Sequence, residues 1–136
     1  MLYRRFLMSK QTLQLHSTLL SIHSLEVDAD IPVALLKLPL FFISKTHDEL
    51  SIVCPSHFAI ECLDTEPDWQ ALELVGPLGF SLTGIMANIS GVLAKANISI
   101  FSISTYDTDY ILVKKHTAQQ AITALKNDGY NLVVDQ

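Results

Sequence analysis

Basic residues are scarce in this chain: nine Lys and Arg stand against fourteen Asp and Glu, a formal net charge of −5. A nucleic-acid surface needs a cationic face, so that class of partner is excluded. The deficit lies mostly in the first half, where residues 1–68 hold five basic and nine acidic side chains. Long hydrophobic runs are missing too, the longest being stretches such as Leu40–Ile43 and Tyr110–Val113. A helix that crosses a bilayer takes about 20 apolar residues, so no membrane span is expected. The opening MLYRRFLMSK carries an Arg pair without an apolar stretch behind it, which does not make a signal peptide. Residues 1–12 read as a flexible leader, with Met8 as an alternative start. Two cysteines build no disulfide framework, and cytoplasm is the expected compartment. No Walker lysine motif or protein-kinase signature occurs.

Charged residues make up only 17% of the chain and apolar residues 49%, enough to bury a core in one compact domain or two small subdomains. Leu13–Leu25 alternates loosely and reads as a first strand. Ile31–Lys37 suits a short helical turn, with Asp30 as N-cap and Pro32 at the first helical position. Leu40–Thr46 and Glu49–Cys54 read as strands around a His47-Asp48 turn. Pro55–Asp68 carries Glu61, Asp64, Glu66 and Asp68 between breakers Pro55 and Pro67, and reads as an acidic linker with a turn of helix at Ser56–Glu61. Ala71–Val75 is the next strand. Ile85, Ile89, Val92, Leu93 and Ala96 then recur at the helical period, predicting a helix over Gly84–Ala96 with Asn97 as its left-handed exit. Strands Ile98–Thr105 and Tyr110–Lys114 follow. A helix from Thr117 to Asp128 is expected to start with a Thr117/Gln120 capping box and end at Gly129 before strand Tyr130–Val134.

The order from Ala71 onward is β-α-β-β-α-β, and residues 13–54 give a weaker β-α-β-β echo. The predicted fold class is α+β: two ferredoxin-like units, the N-terminal one eroded, with antiparallel sheets and helices on one face. The expected division is an N-terminal half at 13–68 and a C-terminal domain at 69–136. Ile98–Thr105 and Tyr110–Val113 are apolar on both faces, whereas a sheet with one wet face alternates. A second subdomain or a second chain is therefore expected to cover that face.

The segments GPLGFSLTG (Gly76–Gly84) and ISIFSISTYDTDYILV (Ile98–Val113) resemble the ACT family, small modules that bind amino acids and regulate metabolism. The likeness is nearest to the compact tandem-ACT proteins, whose longer cousins include cytosolic arginine sensors, and it covers about residues 13–134. Gly79 and Gly84 permit close backbone approach to a ligand. The helix beginning at Gly84–Ile85 offers free N–H groups to a carboxylate, and Ser81 and Thr83 add hydroxyls. Spacing alone favours a plain strand-to-helix turn; the resemblance makes this loop an effector site. It implies that Gly79, Phe80, Ser81, Thr83, Gly84, Ile85, Thr105 and Asp109 bind a free amino acid, with Asp109 receiving its ammonium. Leu82 stands where the arginine-sensing cousins carry an acidic residue, which points to a neutral or less basic ligand. The resemblance further implies a non-catalytic, allosteric module that works as a homodimer or beside a regulated partner protein. The family's aspartate-kinase-like label reflects a shared module and not kinase chemistry.

Other constellations weigh less. Asp107 reads as a solvated turn residue. Cys54, His57 and Cys62 have the ligand types but not the spacing of a zinc module, so no metal or other cofactor is expected, and Cys54 reads as a small buried thiol. His16, His23 and His116 sit singly with no special role, and Trp69 is expected to pack. Two alternatives stay open: an interaction module that dimerises without a ligand, and a small ferredoxin-like enzyme using Asp107 and Asp109.

Overall fold

The computed structural model describes residues 10–76 and 84–135. Among the described residues, eight strands, two α-helices and two short 3-10 turns divide between two compact units: one takes in the described residues of segments 1–17 and 70–136, the other Thr18–Trp69. The strands are β1 (Thr12–Leu15), β2 (Leu20–Leu25), β3 (Phe42–Lys45), β4 (Leu50–Pro55), β5 (Asp64–Gly76), β6 (Ile100–Ser104), β7 (Asp109–Lys114) and β8 (Asn131–Val134). The helices are α1 (Ile85–Lys95) and α2 (Ala118–Asn127).

In the unit Thr18–Trp69 the strand order is β3-β4-β2-β5, with β2 antiparallel to both β4 and β5. Taken in chain order, that is second, third, first, fourth, the order of a ferredoxin-like sheet. Erosion has taken the helices. A 3-10 turn at Val33–Lys37 stands where the first belongs, and residues 56–63 hold no regular element where the second belongs. The expected Asp30 cap is not made: Pro32 takes the N-cap position, without a side-chain cap hydrogen bond. Leu25, Leu35, Leu50, Ile52 and Cys54 form the core. The His47-Asp48 hairpin forms as expected, with the Thr46 hydroxyl accepting from the N–H groups of Asp48 and Glu49 at 3.1 Å.

The other unit places α1 and α2 on one face of a sheet in which β5 pairs with β1 and β7, β7 with β6, and β1 with β8. Leu13, Leu15, Leu72, Leu74, Ile111 and Val113 from the strands meet Ile89, Leu93, Ala121, Ile122 and Leu125 from the helices. Both helices end in the same backbone device. Asn97 (φ 64°) and Gly129 (φ 100°) are left-handed, and Ile98 N–H and Tyr130 N–H reach back to the Leu93 and Leu125 carbonyls at 3.0 and 3.1 Å. The Thr117/Gln120 capping box does not form. Thr117 already lies in the αR region, so its hydroxyl donates to Lys114 O (3.0 Å), and Gln120 donates to Ala96 O instead.

Two further expectations are corrected. The strand predicted at Leu13–Leu25 is two strands, broken at His16–Leu19 and belonging to different units. β1 inserts between β5 and β8, antiparallel to the first and parallel to the second. The acidic linker Pro55–Asp68 is irregular only to Leu63; Asp64 opens a strand of 13 residues. Pro67 and Asp68 fit because β5 bulges there. Leu20 faces Trp69 while Ile22 faces Glu66, so β5 carries one extra residue, and Asp68 takes φ 66°. Residues 1–9 of the expected leader lie outside the described residues, while Lys10 N–H donates to Gly129 O and its Nζ pairs with Asp128 at 2.6 Å.

His23 on β2 is 7% exposed, and burial lowers its pKa below the ordinary 6.5. The unfolded chain therefore takes a proton that the folded chain refuses, so this contribution to stability is present above pH 6.5 and is lost as pH falls toward the folded value. In urea titrations between pH 7.5 and 5, His23→Gln is expected to show a shallower loss of stability than the parent chain, whatever its absolute stability. An equal slope would mean that His23 stays accessible to protons.

Candidate functional site

The turn into α1 is built on Gly84. It sits at the N-cap with φ 89° and ψ −13°, makes no side-chain cap, and its carbonyl accepts from Asn88 N–H at 2.9 Å. The first turn of α1 has no acidic residue, so its backbone dipoles meet no carboxylate of their own helix. Among the described residues, a Cβ built on Gly84 meets nothing within 4 Å. The left-handed backbone is what requires glycine at this place. Ile85 is half-buried and packs against the core, which fixes the direction in which the helix begins.

Thr105 and Asp109 lie on the β6–β7 hairpin. Its tip is closed by Thr105 N–H to Thr108 O at 2.8 Å, and the Thr105 hydroxyl both donates to and accepts from Thr108 at 3.2 Å. Thr108 donates its hydroxyl to Leu74 O, tying the hairpin tip to β5 close to Gly76. Asp109 faces Ser104 across the ladder and accepts its hydroxyl at 2.5 Å through Oδ1. The carboxylate is half-buried and the hairpin pre-positions it. Asp107 is exposed, as a solvated turn residue is. Gly79, Phe80, Ser81 and Thr83, with Leu82, lie outside the described residues. What is on view is therefore the rim of the expected site: the capless start of α1, and one carboxylate on a hairpin bonded to the strand that leads into the loop.

Histidines thought to be idle turn out to be engaged. His16 Nε2 lies 2.8 Å from Glu73 Oε1, and its Nδ1 lies 3.4 Å from Asp135 Oδ2. Burial, then the charge and hydrogen bond of Glu73, raises the Tyr110 pKa. Burial acts to raise the Asp135 carboxyl, but the Ser17 N–H and His16 hold it below its usual value. His23 Nδ1 is 2.9 Å from Thr65 Oγ1 and 3.6 Å from Cys62 Sγ. His57, which stands between the two cysteines in sequence, is exposed, whereas the histidine beside Cys62 is His23, 39 residues away. Cys54 is fully buried, and burial raises its thiol pKa, as its inert reading requires. Trp69 packs, at 8% exposure. A groove of about 530 Å³ runs between α1 and α2, past Gly91, Lys95 and Asp128; of the expected ligand residues that are described, Gly84, Ile85, Thr105 and Asp109, none lines it.

The two glycines of the α1 region should respond oppositely to alanine. Gly84→Ala forces a side chain into φ 89° and is expected to cost about 1–2 kcal/mol. Gly91→Ala, in the middle of α1 with open space around it, is expected to gain about 0.5–1 kcal/mol. Urea midpoints at constant slope measure both, and a neutral Gly84→Ala would show that the turn is not left-handed in solution.

With this geometry in place, comparison with known proteins is informative. The ACT domain family matches residues 64–127. The cytosolic arginine sensor for mTORC1 subunit 1 of Bos taurus is 41% identical over 64 residues, 45% of this chain and 20% of that protein. The chain thus spans about a fifth of the length of that relative. Over nearly the whole fold, the protein Atu0741 from Agrobacterium tumefaciens superposes with a TM-score of 0.86 at 28% identity, covering 93% of this chain and 95% of that one. The regulatory subunit of aspartate kinase from Thermus flavus shares the fold at 12% identity, with a TM-score of 0.62 over 88% of this chain and 97% of that one. The match to the ACT domain family covers residues 64–127, just under half of the chain.

Proposed function

We propose that the protein is a cytoplasmic, non-catalytic regulatory module that binds a free amino acid at the turn into α1. The observation that carries this reading is the presence of two charge-matching elements within the ACT match. α1 begins on a left-handed glycine with no acid in its first turn, and Asp109 stands on a hairpin bonded to the strand that leads into the loop. A zwitterion leaving water needs both charges matched, since an unpaired buried charge costs several kcal/mol. The α-carboxylate goes to the backbone N–H groups near Gly84–Ile85 and the ammonium to Asp109. Gly79, Phe80, Ser81 and Thr83 complete the pocket, with Thr105 holding the hairpin tip. Leu82 in the loop favours a neutral or weakly basic side chain over arginine. The module acts as a homodimer or against a regulated partner. The name of the arginine sensor supports an amino-acid ligand, and that of the aspartate-kinase subunit a regulatory role.

Calorimetry against the free amino acids tests this directly. One is expected to bind, with Asp109→Ala and Gly84→Val each weakening it by about tenfold or more, because each leaves one charge of the ligand unmatched. A ligand that binds both variants unchanged would move the site elsewhere. No binding by any amino acid would favour the interaction module without a ligand.

A further inference from the structure

We propose that the groove between α1 and α2 is the docking site of residues 1–9 of this same chain. The inference does not depend on the amino-acid reading. The two helices run antiparallel: Asn88 donates to Asp128 Oδ2 at 3.0 Å, and Gln120 donates to Ala96 O at 3.0 Å. Asn88 and Asp128 therefore form one end of the groove and Ala96 the other. Between them Ala87, Gly91 and Val92 on α1 and Ala124 on α2 give an apolar floor. A Cβ built on Gly91 meets nothing within 4 Å among the described residues, so the floor lies open.

The occupant is identified by where the described chain begins. Lys10, the first described residue, is fixed at the Asn88–Asp128 end of the groove. Its N–H donates to Gly129 O at 3.2 Å, and its Nζ pairs with Asp128 Oδ2 at 2.6 Å and stands 5.1 Å from the centre of the Tyr130 ring. Asp128 itself lines the groove. The path of the backbone points the same way. Asn131 N–H donates to Gln11 O at 3.1 Å, so stepping back from Gln11 to Lys10 carries the chain from Asn131 to Gly129, out of the sheet and toward the end of α2. Terminal residues are ordered only where something ties them down, and Lys10 is such a tie at the groove's mouth.

Length and chemistry both fit. From Asn88 to Lys95 the groove follows seven residues of helix, about 10 Å. Nine residues reach about 30 Å extended and about 13 Å as a helix, so the segment spans the groove in either form. Its apolar residues, Leu2 and Tyr3 on one side of Arg4-Arg5 and Phe6, Leu7 and Met8 on the other, suit an apolar floor. A cavity of about 150 Å³ accepts a benzene ring, so a groove of about 530 Å³ has room for the rings of Tyr3 and Phe6 together. Lys95 and Asp128 line it with one charge of each sign, which leaves no net charge against the Arg pair. Attachment at the mouth gives the segment an effective concentration on the order of millimolar, which a free partner would have to exceed. That favours this chain's own segment over any other occupant.

The test uses the full chain with the photoreactive substitution Phe6→benzoylphenylalanine, as an equal mixture of isotope-labelled and unlabelled copies. After irradiation, mass spectrometry locates the crosslinked peptide, and its isotope composition separates a link within one chain from a link between two. Links are expected within one chain, to residues 87–96 and 124–128. Ala124→Phe fills the groove from the α2 side and Ala87→Phe from the α1 side. Whichever of them keeps the parent's circular dichroism spectrum is expected to lower the yield of those links by about tenfold. Links between two copies would assign the groove to a second copy and overturn the proposal. So would links found only outside the groove, the absence of any link, or groove links that persist undiminished in a folded, filled variant.

Discussion

One strand carries both units. β5 is the last strand of the eroded ferredoxin-like unit and runs on into the C-terminal unit: residues 64–69 pair with β2, and residues 72–76 pair with β1. Backbone N–H and C=O groups must be paired wherever they are buried, so a strand with two successive sets of partners has to satisfy two sets of demands along a single thread. The bulge at Pro67-Asp68 reconciles them. An extra residue with left-handed Asp68 allows the pairing frame to change immediately before Trp69, the last residue of the first unit, and Pro67 sits where a missing donor is tolerated. A second irregularity, between Thr12/Leu13 on β1 and Gly76/Leu74 on β5, shifts the register at the Gly76 end of the strand.

The site inherits its order from this strand. Leu72 and Leu74 anchor β5 in the core against α1 and α2, and the same residue, Leu74, gives its carbonyl to Thr108 on the hairpin that carries Asp109. The hairpin tip has no apolar burial to hold it, since Tyr106 is fully exposed. Its position comes from hydrogen bonds: the Thr105–Thr108 closure, the Ser104–Asp109 contact and the tie to β5. A carboxylate held in this way approaches a ligand with little rotamer freedom left to lose, which is how preorganisation adds affinity.

What the sequence revealed, and what it hid, follows from the range of the interactions. α1 and α2 were legible because helical periodicity is a local property, and their ends were legible because Asn97 and Gly129 satisfy a demand set by residues four and five positions back. The hairpin Thr46–Glu49 was equally local. β1 was not legible as a strand of the C-terminal sheet, because its partners lie about 60 residues away on β5 and about 120 away on β8. The first half of β5 was hidden by its acids and by Pro67, residue types that strands disfavour and that an exposed, bulged edge accepts. The two engaged histidines were hidden for the same reason as β1. His16 meets Glu73 and Asp135, and His23 meets Cys62 and Thr65, across ladders whose register no local window contains. Of the candidate site, the glycine turn and the aspartate were legible as residue types; that the hairpin is bonded to β5 was not.

Effector control by such a module has a fixed thermodynamic limit. A ligand shifts an equilibrium only by the difference in its affinity for the two states, and moving a population from 1:99 to 99:1 takes about 5.5 kcal/mol of difference. A zwitterion bound by a loop alone would supply little, because a loop can follow its ligand in either state. In the proposed reading, the two ends of the ligand lie on elements that do not follow freely. α1 is fixed by Ile89 and Leu93 in the core, and the Asp109 hairpin by its bond to β5. Bridging two fixed elements makes affinity depend on their separation, so whatever alters that separation, a second copy or a regulated partner, is coupled to ligand binding, and by linkage the ligand is coupled to it with the same strength.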